Sequence, residues 1–553
     1  MLSDEIKKFL HGDVLEDSET LNKYSHDASL FEVRPEVVVF PKDVEDIKNL
    51  VKFAVKNKKK LNNLSLTARS AGTDMTGGPL NDSIILDFTK YFNRIKKIAS
   101  PSIASAKEGG YAVVEPGVYY RDFEKETLKR GLIFPSYPAS RELCAMGGIV
   151  SNNAGGEKSL VYGKTEGYVM ELKVVLADGE EYVLKSLPKK ELNKKLLEKN
   201  FEGELYRKVY KLVNGSYKAI KEAKPDVSKN SSGYKIWDVW DKTNFDLAQL
   251  IVGSQGTLGI VTEIKLRLVK TKKYSGMAVV FMDNLKNLAD IINIVLPFKP
   301  TSFESFDDHT LRLALKFFPG FLKLMGAKNL FSLGLSFLPE FLLVLLYGMP
   351  KLILLIEFEE DSQEKVDERL KVLNSALKQF KVLTKLAPTE KDSRKYWVIR
   401  RESFNLLRNK VKDKKTAPFI DDIIVNPVHL PEFLPRLYEI LDRYKLLYTI
   451  AGHVGNGNFH IIPLMKLEDE SERKKIISAG DEVYKLVLSY KGSISAEHND
   501  GLIRSHYLEE MFGEKIYKLF EQVKKIFDPK DIFNPRKKVG SDLVYVVEHL
   551  KKG

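Results

Sequence analysis

The sequence predicts an α+β protein of two domains, and three observations support this fold class. The chain has 553 residues, which exceeds the size at which one hydrophobic core usually stops growing. Residues 1–270 alternate short β runs with amphipathic helical segments and carry three glycine-rich loops. Residues 271–495 follow the order β run, long helix, β run, which is typical of an antiparallel sheet with helices on one face. A helical segment is expected over 496–553.

The composition indicates a soluble globular chain and disfavours nucleic-acid binding. The sequence is 43% hydrophobic and 29% charged, and its formal net charge is +13. The basic residues are spread along the chain, whereas a nucleic-acid-binding surface usually gathers them into one stripe. The expected partners are therefore an acidic small molecule or an anionic membrane surface, without nucleic acid.

The single cysteine and the N-terminus limit the chemistry and the compartment. Cys144 alone cannot form an internal disulfide or hold an iron–sulfur cluster. A bound metal would need histidine, aspartate or glutamate ligands. The N-terminal sequence MLSDEIKKFLHGD lacks the apolar core of a signal peptide, so we expect a cytoplasmic protein.

The first domain is expected to place each glycine-rich loop beside a β element. The loops cover 69–78, 145–156 and 253–260, and β runs are predicted at 84–88, 111–118 and 171–176. Turns of small residues expose successive backbone N–H groups, which suit a pyrophosphate, and glycine pairs allow backbone to lie flat against a planar ligand. A bulky phosphate-bearing cofactor is the favoured interpretation, with ordinary surface turns as the alternative.

One segment of the second domain is unusually apolar. Residues 317–350 read FFPGFLKLMGAKNLFSLGLSFLPEFLLVLLYGMP, and the pair Pro339-Glu340 interrupts the run. Three interpretations stay open: buried helices, a hairpin that lies on a membrane surface, or a membrane span. The second would make the protein peripheral on the inner face of a membrane.

Ten motifs occur in the order found in one family. They are ARSAGTDMTGG, VEPGV, GLIFPSYPAS, MGGIVSNNAGG, YGKTEGYV, LADGE, QLIVGSQGTLGIVTEIKLRLV, GHVGNGNFH, SISAEHNDG and FDPKDIFNP. The sequence thereby resembles the FAD-linked 2-hydroxy-acid dehydrogenases and oxidases, which include D-lactate, glycolate and D-2-hydroxyglutarate dehydrogenases. The resemblance implies an FAD-binding domain of the PCMH (vanillyl-alcohol-oxidase) type over 1–270, a substrate or cap domain over 271–495, and a C-terminal segment that returns to the FAD domain.

The resemblance also implies which residues hold the cofactor. FAD would be bound without a covalent link, because no histidine or cysteine stands at the usual flavin-linking place of the first loop. The first loop would hold the pyrophosphate, and the later loops would line the adenosine and the isoalloxazine. The implied residues are Arg69, Ser70, Ala71, Gly72, Thr73, Asp74, Thr76, Gly77, Pro138, Ser140, Gly147, Gly148, Asn152, Asn153, Gly155, Tyr162, Gly256, Ile260 and Asn534.

Three motifs depart from the family's pattern. Ser70 and Ala71 replace two glycines of the first loop, and non-glycine residues would carry strain there if the backbone needed a positive φ. Asn456 stands where the family has an aspartate, which removes a carboxylate. Asn499 stands where the family has a glycine.

The stretch AGHVGNGNFH predicts a hairpin that brings two histidines together. Asn456-Gly457 is a favoured two-residue hairpin turn, and that turn would set His453 directly opposite His460. Two imidazoles so placed can hold a divalent ion, Zn²⁺ or Mn²⁺, with Glu497 as the third ligand. The alternative is a cross-strand histidine pair on an ordinary polar surface.

Two further residues complete the predicted site. His498 is the candidate general base for the hydroxyl proton, because an imidazole titrates near neutral pH. Arg400 matches the family's Trp-x-x-Arg position and would bind the substrate carboxylate, although the sequence does not separate it from Arg401.

The expected function is oxidation of a small D-2-hydroxy acid by FAD, with electrons passed to an external quinone, cytochrome or electron-transfer flavoprotein. Two alternatives stay open: a flavin-dependent transferase resembling alkylglycerone-phosphate synthase, and a flavoprotein electron-transfer subunit of a larger complex. Replacement of the transferases' run of histidines by Ala496-Glu497-His498 argues against the first, and the intact histidine set argues against the second.

Overall fold

The computed structural model of the chain describes residues 2–100, 110–316, 348–411 and 413–552. Helices account for 41% of the residues and strands for 22%, and most of the sheets are antiparallel. The predicted α+β class is therefore confirmed. Most of the apolar segment predicted at 317–350 lies outside the described residues. Within the described ranges, no helix is both long enough and apolar enough to cross a membrane.

The N-terminal part contains a small sheet followed by a larger one. The first sheet has the order β1-β2-β4-β3, in which β2, β4 and β3 run parallel. The second has the order β10-β9-β8-β11-β6-β5 and is antiparallel, and β7 pairs with β12 beside it. The strands are β1 (Asp13–Leu15), β2 (Val37–Phe40), β3 (Leu66–Arg69), β4 (Ile84–Asp87), β5 (Ile95–Ala99), β6 (Tyr111–Val114), β7 (Leu132–Ile133), β8 (Val169–Val175), β9 (Glu181–Pro188), β10 (Asn244–Asp246), β11 (Ile260–Arg267) and β12 (Val269–Lys270).

Most of the second glycine-rich segment is a helix, whereas the sequence predicts a loop over 145–156, and residues 153–156 lie outside regular structure. Residues Met146–Asn152 are helical, and the helix ends at Asn153 in the left-handed conformation. A Cβ at Gly147 would lie 2.9 Å from the carbonyl oxygen of Pro116, so glycine lets the helix approach that turn. The other helices of this part are Leu2–Lys7, Ser18–Tyr24, Val44–Asn57, Tyr120–Leu128, Ser159–Tyr162, Lys189–Leu197, Phe201–Gly215, Tyr217–Glu222 and Ala248–Ile251.

The second part is one eight-stranded antiparallel sheet with helices against it. Its order is β16-β13-β15-β14-β19-β20-β17, and β18 also pairs with β20. The strands are β13 (Tyr274–Met282), β14 (Ser302–Asp307), β15 (Leu352–Glu360), β16 (Leu383–Ala387), β17 (Lys415–Thr416), β18 (Ile423–Ile424), β19 (Leu447–His453) and β20 (Asn458–Met465). The helices are Leu288–Val295, Asp308–Lys316, Gln363–Leu377, Glu390–Lys410, Leu430–Arg443 and Glu470–Ser489.

The C-terminal segment returns to the N-terminal part. Its helices are Gly501–Arg504, Leu508–Phe512, Glu514–Phe527 and Leu543–Glu548. Phe520 and Phe527 are buried in the core beneath the second sheet, and Phe533 is buried in the core of the first. The burial of these aromatic side chains holds the segment against the first 270 residues. The domain boundaries at 270 and 495 stay predictions.

Candidate active site

A cavity of about 930 Å³ lies between the N-terminal loops and the sheet of the second part. The loop after β3 and the helix Met146–Asn152 line one side, and the strands β19 and β20 line the other. One space therefore joins the predicted cofactor loops to the predicted catalytic residues.

The wall formed by the loops fits a large planar cofactor with phosphates. Gly148 and Gly256 line the cavity, and a Cβ built at either would meet no protein atom nearer than 3.9 Å, so the space beside them belongs to the cavity. In the part of the chain that the structure describes, the backbone N–H groups of Ala71, Gly72 and Thr73 donate to no protein acceptor. Such N–H groups are available to a phosphate.

The predicted cofactor residues divide into two groups. Those that line the cavity are Arg69, Ser70, Ala71, Gly72, Thr73, Asp74, Pro138, Ser140, Gly147, Gly148, Asn152 and Gly256. Those that the structure does not bring to it are Thr76, Gly77, Asn153, Gly155, Tyr162, Ile260 and Asn534.

Two residues of the second group contact residues of the cavity wall without lining the cavity themselves. Asn534 donates from Nδ2 to the carbonyl oxygens of Gly78 and Gln255, which ties the first loop to the third. A Cβ at Gly155 would lie 2.7 Å from Oε2 of Glu497, so this glycine allows that carboxylate to approach.

The departures from the family's pattern are accommodated without the expected strain. The left-handed positions of the first loop are Gly72 and Gly77, and neither Ser70 nor Ala71 has a positive φ. Asn499 has a φ of 75°, a conformation that asparagine tolerates, and its Nδ2 donates to the carbonyl oxygen of Gly253 at 2.8 Å.

The predicted two-residue hairpin turn is wrong, although the histidines still meet. His453 pairs with Asn458, and His460 pairs with Ala451, so a four-residue loop replaces the Asn456-Gly457 turn. The histidines are diagonal neighbours on one face of the sheet. Their ring centroids are 5.2 Å apart and their planes are nearly perpendicular, at 89°. The expected direct opposition is replaced by a diagonal contact across the same two strands.

Asn456 points away from this pair. It is buried and its Nδ2 donates to Oγ of Ser228 at 2.9 Å. The residue that replaces the family's aspartate therefore fastens the hairpin to a loop of the N-terminal part.

The donor set of His453, His460 and Glu497 fits a divalent cation. Oε1 of Glu497 lies 3.0 Å from Nε2 of His453 and 3.5 Å from Nε2 of His460. Its Oε2 lies 3.1 Å from Nζ of the buried Lys229. Although burial opposes it, the charges of Lys229 and His453 hold the pKa of Glu497 well below its usual range. Two imidazole nitrogens and one carboxylate are a common ligand set for Zn²⁺ and similar ions.

A different set of four side chains also clusters closely. Ligand atoms of Asp422, His460, Glu497 and His498 lie within 4.8 Å of one another. Both oxygens of Asp422 are occupied, because Oδ2 accepts the backbone N–H groups of Glu497 and His498 and Oδ1 accepts the amide of Asn458. We therefore prefer His453 to Asp422 as the metal ligand that accompanies His460 and Glu497.

His498 is oriented by Asp421. Its Nδ1 lies 2.6 Å from Oδ2 of that carboxylate, which leaves Nε2 for the cavity. Burial would lower the pKa of His498, but the negative charges of Asp421 and Asp422 raise it above its ordinary value. Burial is likewise outweighed at His460, whose pKa Asp421 raises to about 10. The pKa of the candidate base His498 is thus shifted upward from the ordinary imidazole value.

Arg400 and Arg401 differ in their surroundings. Arg400 lines the cavity and donates to Oε2 of Glu304 from Nη2 at 3.0 Å, while Oε1 of Glu304 lies 2.5 Å from Nδ1 of His453. Arg401 lies at the cavity's edge, where it pairs with Glu157 at 2.7 Å, and it is 42% exposed. Arg400 is therefore the cation adjacent to the histidines.

Four residues of the site were missed by the sequence reasoning: Lys229, Glu304, Asp421 and Asp422. Glu304 stands between aromatic residues in SFESF, and Asp421-Asp422 stands inside the apolar run PFIDDII. Acidic residues in buried strands need partners, which is a signal that could have found them. Lys229 stands in a polar loop and carries no such signal.

Two protein families match most of the chain. Residues 35–185 match the family described as FAD binding domain, and residues 271–538 match the family described as FAD linked oxidases, C-terminal domain.

Relatives share about a quarter of their residues with this chain. A D-2-hydroxyglutarate dehydrogenase of Escherichia coli (strain K12) is 27% identical over 530 residues, covering 93% of this chain and 49% of that protein. A D-lactate dehydrogenase of Archaeoglobus fulgidus is 28% identical over 507 residues, covering 91% of each. The chain spans about half the length of the D-2-hydroxyglutarate dehydrogenases that match it first.

Solved structures share the fold at low identity. p-Cresol methylhydroxylase superposes with a TM-score of 0.67 and 17% identity over 98% of this chain and 96% of that one. An alkyldihydroxyacetonephosphate synthase superposes with a TM-score of 0.66 and 16% identity over 97% and 85%.

Fold and loops together define a flavoprotein with a PCMH-type FAD-binding domain and an antiparallel cap. The chain belongs to the FAD-linked oxidases, and the relatives that match it are named as 2-hydroxy-acid dehydrogenases and oxidases.

Proposed function

We propose that the protein oxidises a small D-2-hydroxy acid to the 2-oxo acid and passes the electrons to an external acceptor. The observation that carries the proposal is the placement of Arg400, His498 and the His453–His460 pair on the cavity that the cofactor loops also line. A cation, a proton acceptor and a flavin site are the three components that this oxidation needs.

The chain's own residues would bind and orient the substrate. Arg400 would bind the substrate carboxylate, because the planar guanidinium presents several N–H donors that suit a carboxylate. The same guanidinium also donates to Glu304. His498 would take the hydroxyl proton at Nε2, since its Nδ1 is engaged by Asp421. FAD, when bound along the loops, supplies the acceptor for the hydride that leaves Cα.

A divalent ion is part of the proposal. His453, His460 and Glu497 would hold it, and it would supply polarisation of the substrate hydroxyl. The predicted choice of Zn²⁺ or Mn²⁺ follows from the nitrogen and oxygen donors. Elemental analysis of the purified protein tests this part separately from the oxidation.

Anaerobic reduction of the flavin tests the oxidation. FAD-loaded protein is mixed with the D- and L-forms of lactate and 2-hydroxyglutarate and with glycolate, and the flavin absorbance is followed. Bleaching by a D-2-hydroxy acid but not by its L-form is expected. A flavin that no member of the panel reduces would contradict the proposed substrate class.

The transferase alternative rests on fold likeness alone. Release of a fatty acid from an acyl glycerone phosphate by the FAD-loaded protein, without flavin bleaching by any hydroxy acid, would favour that alternative.

The acceptor is proposed to be a quinone, a cytochrome or an electron-transfer flavoprotein. Reoxidation of the reduced flavin by a soluble quinone analogue and by cytochrome c, each added separately, would separate the first two. Sedimentation with anionic vesicles, compared with a variant that lacks 317–347, tests contact with a membrane. Equal sedimentation of the two proteins would contradict it.

A further inference from the structure

The carboxylate of Asp421 bridges the Nδ1 atoms of two histidine rings. Its Oδ1 is 3.1 Å from Nδ1 of His460, and its Oδ2 is 2.6 Å from Nδ1 of His498. The two rings stack with centroids 4.9 Å apart and planes 23° apart. The carboxylate has no exposed surface. One buried acid therefore contacts the same nitrogen of both rings.

This arrangement determines where each ring carries its proton. An ionised carboxylate only accepts hydrogen bonds, so both Nδ1 atoms must donate to it. A neutral imidazole with its proton on Nδ1 has its lone pair on Nε2. Nε2 of His460 lies 3.5 Å from Oε1 of Glu497, and both histidines line the cavity. Whenever either ring is neutral, as metal binding or proton transfer requires, Asp421 thus directs its lone pair to Nε2 and toward the site.

Contacts with the surrounding chain hold Asp421 where its carboxylate reaches both rings. Arg504 is fully buried and donates from Nη2 to the carbonyl oxygen of Asp421. The next residue, Asp422, accepts the backbone N–H of His498 at 2.7 Å. Ile423 pairs with Phe459, next to His460, through the contact of β18 with β20. These contacts hold Asp421 and both rings in one framework.

We infer that Asp421 is a positioning residue shared by the two functions of the site: it keeps Nε2 of His460 available to a divalent ion and Nε2 of His498 available to the substrate's hydroxyl proton. The roles of the two rings rest on the proposed function. We add that a single carboxylate sets the position of the ring proton in both histidines, so a substitution of this carboxylate affects both rings.

The substitution Asp421→Asn separates this role from simple packing. An amide has nearly the same shape, but it offers one oxygen and one NH₂ group. One ring can keep its Nδ1 proton and donate to the oxygen. The other ring faces a donor and must carry its proton on Nε2. When a metal is bound to Nε2 of His460, that ring must keep its proton on Nδ1 and donate to the amide oxygen. His498 is then the ring with a protonated Nε2, which cannot accept the hydroxyl proton.

The test uses the full-length, FAD-containing protein, with Mn²⁺ affinity and the rate constant of anaerobic flavin reduction as readouts. In D421N we expect Mn²⁺ affinity to fall by about tenfold or more. At saturating Mn²⁺ we expect flavin reduction to slow by about 100-fold or more. D421E should recover most of both. The control is Asp500→Asn, which removes a buried carboxylate that contacts Lys538 and no ring, and it should leave both readouts within about twofold of wild type.

Two outcomes would overturn the shared role. If D421N, once saturated with Mn²⁺, reduces its flavin at the wild-type rate, Asp421 does not serve His498. If Mn²⁺ affinity is unchanged while reduction slows, the carboxylate does not serve His460.

A third measurement does not depend on the substrate. Nitrogen-15 NMR of histidine-labelled, Zn²⁺-loaded protein reports which ring nitrogens carry protons. Wild type should show a protonated Nδ1 in His460 and His498, and D421N should show one ring without it. Retention of both in D421N would refute the inference even if no hydroxy acid reduces the flavin, whereas failure of every acid alone would count only against the proposed function.

Discussion

Nζ of Lys229 lies 3.1 Å from Oε2 of Glu497, and both side chains are buried. The two residues come from different parts of the chain, so the ion pair joins the N-terminal part to the predicted metal site. Since the other oxygen of Glu497 faces the two histidines, the lysine and a divalent ion would neutralise the same carboxylate.

Lys229→Met should destabilise the metal-free protein. Removing one partner of a buried ion pair leaves the other charge unpaired, which costs about 3–5 kcal/mol. A divalent ion should restore part of this loss, because it neutralises Glu497 in place of the lysine. Thermal unfolding with and without Zn²⁺ measures both effects. Lys229→Arg, which keeps the charge, is the control, and an equal Zn²⁺ effect in Lys229→Met and wild type would contradict the prediction.

His498→Ala should slow flavin reduction by about 100-fold to 10,000-fold, because it removes the proposed general base. FAD content and metal content should not change, since His498 is not among the preferred metal ligands. Stopped-flow absorbance under nitrogen measures the reduction. His429→Ala is the control, because His429 immediately precedes the helix Leu430–Arg443, does not line the cavity and contacts the ring of Tyr490 at a tilt of 50°. Reduction of the His498 variant at the wild-type rate would remove the residue from the mechanism.

Gly256→Ala should weaken FAD binding by about tenfold or more. Gly256 has a φ of 70° and lines the cavity, so an added methyl group would enter the space proposed for the cofactor. Backbone strain in this conformation costs about 1 kcal/mol and must be separated from that effect. Gly131→Ala is a matched control, since Gly131 has a φ of 64° and no atom within 4 Å of the new Cβ. Flavin absorbance of the purified variants measures occupancy, and equal loss in both would contradict the prediction.

Arg400→Met should lower kcat/KM for the hydroxy acid by about 10- to 100-fold, through the loss of charge-assisted hydrogen bonds to the substrate carboxylate. Arg401→Met should change it by less than about threefold, because Arg401 pairs with Glu157 at the cavity's edge. Steady-state kinetics with an artificial electron acceptor measures both variants. A larger loss in Arg401→Met would exchange the roles of the two arginines.

Stability should fall with rising pH because of Glu357. Burial, followed by the charge of Glu359, raises the pKa of Glu357 from 4.5 to about 7. The folded protein then holds a proton that the unfolded chain releases, so this contribution to stability is complete below pH 4.5 and is lost as pH rises through 7. Between pH 5 and 8, wild type should lose about 3 kcal/mol relative to Glu357→Gln.

Thermal midpoints of wild type and Glu357→Gln at pH 5 and pH 8 check this prediction. Trp397 donates its indole N–H to Glu357 at 3.0 Å, and glutamine keeps an oxygen for that bond. Parallel pH profiles of the two proteins would show that Glu357 is ionised in the folded state at both pH values.

The local sequence predicts the outline of the fold well, and the exceptions have physical causes. The β run and the long helix that the pattern over 271–495 predicts are found, for example, as β15 and the helix Gln363–Leu377. The glycines of MGGIVSN favour a loop by propensity, yet this segment is helical, and Gly147 allows the helix a close approach to Pro116 that no other residue would permit.

The hairpin register shows the same limit. Asn-Gly favours a two-residue turn locally. In the folded protein, a Cβ at Gly457 would lie 1.9 Å from the carbonyl oxygen of Val425, and the N–H of Val425 donates to the carbonyl oxygen of Gly457. The segment around Val425, about thirty residues earlier in the chain, therefore packs against the turn, where the loop has four residues in place of the predicted two.

The sequence by itself indicated the family, and it predicted the cofactor loops and the histidine, glutamate and arginine positions of the proposed site, because these lie within short motifs whose residue types carry the chemistry. Tertiary structure alone decided their partners. Lys229, Glu304 and Asp421 reach Glu497, His453 and His498 across 268, 149 and 77 residues. Their effect depends on burial, which makes unpaired charges costly, and burial exists only once the chain has folded.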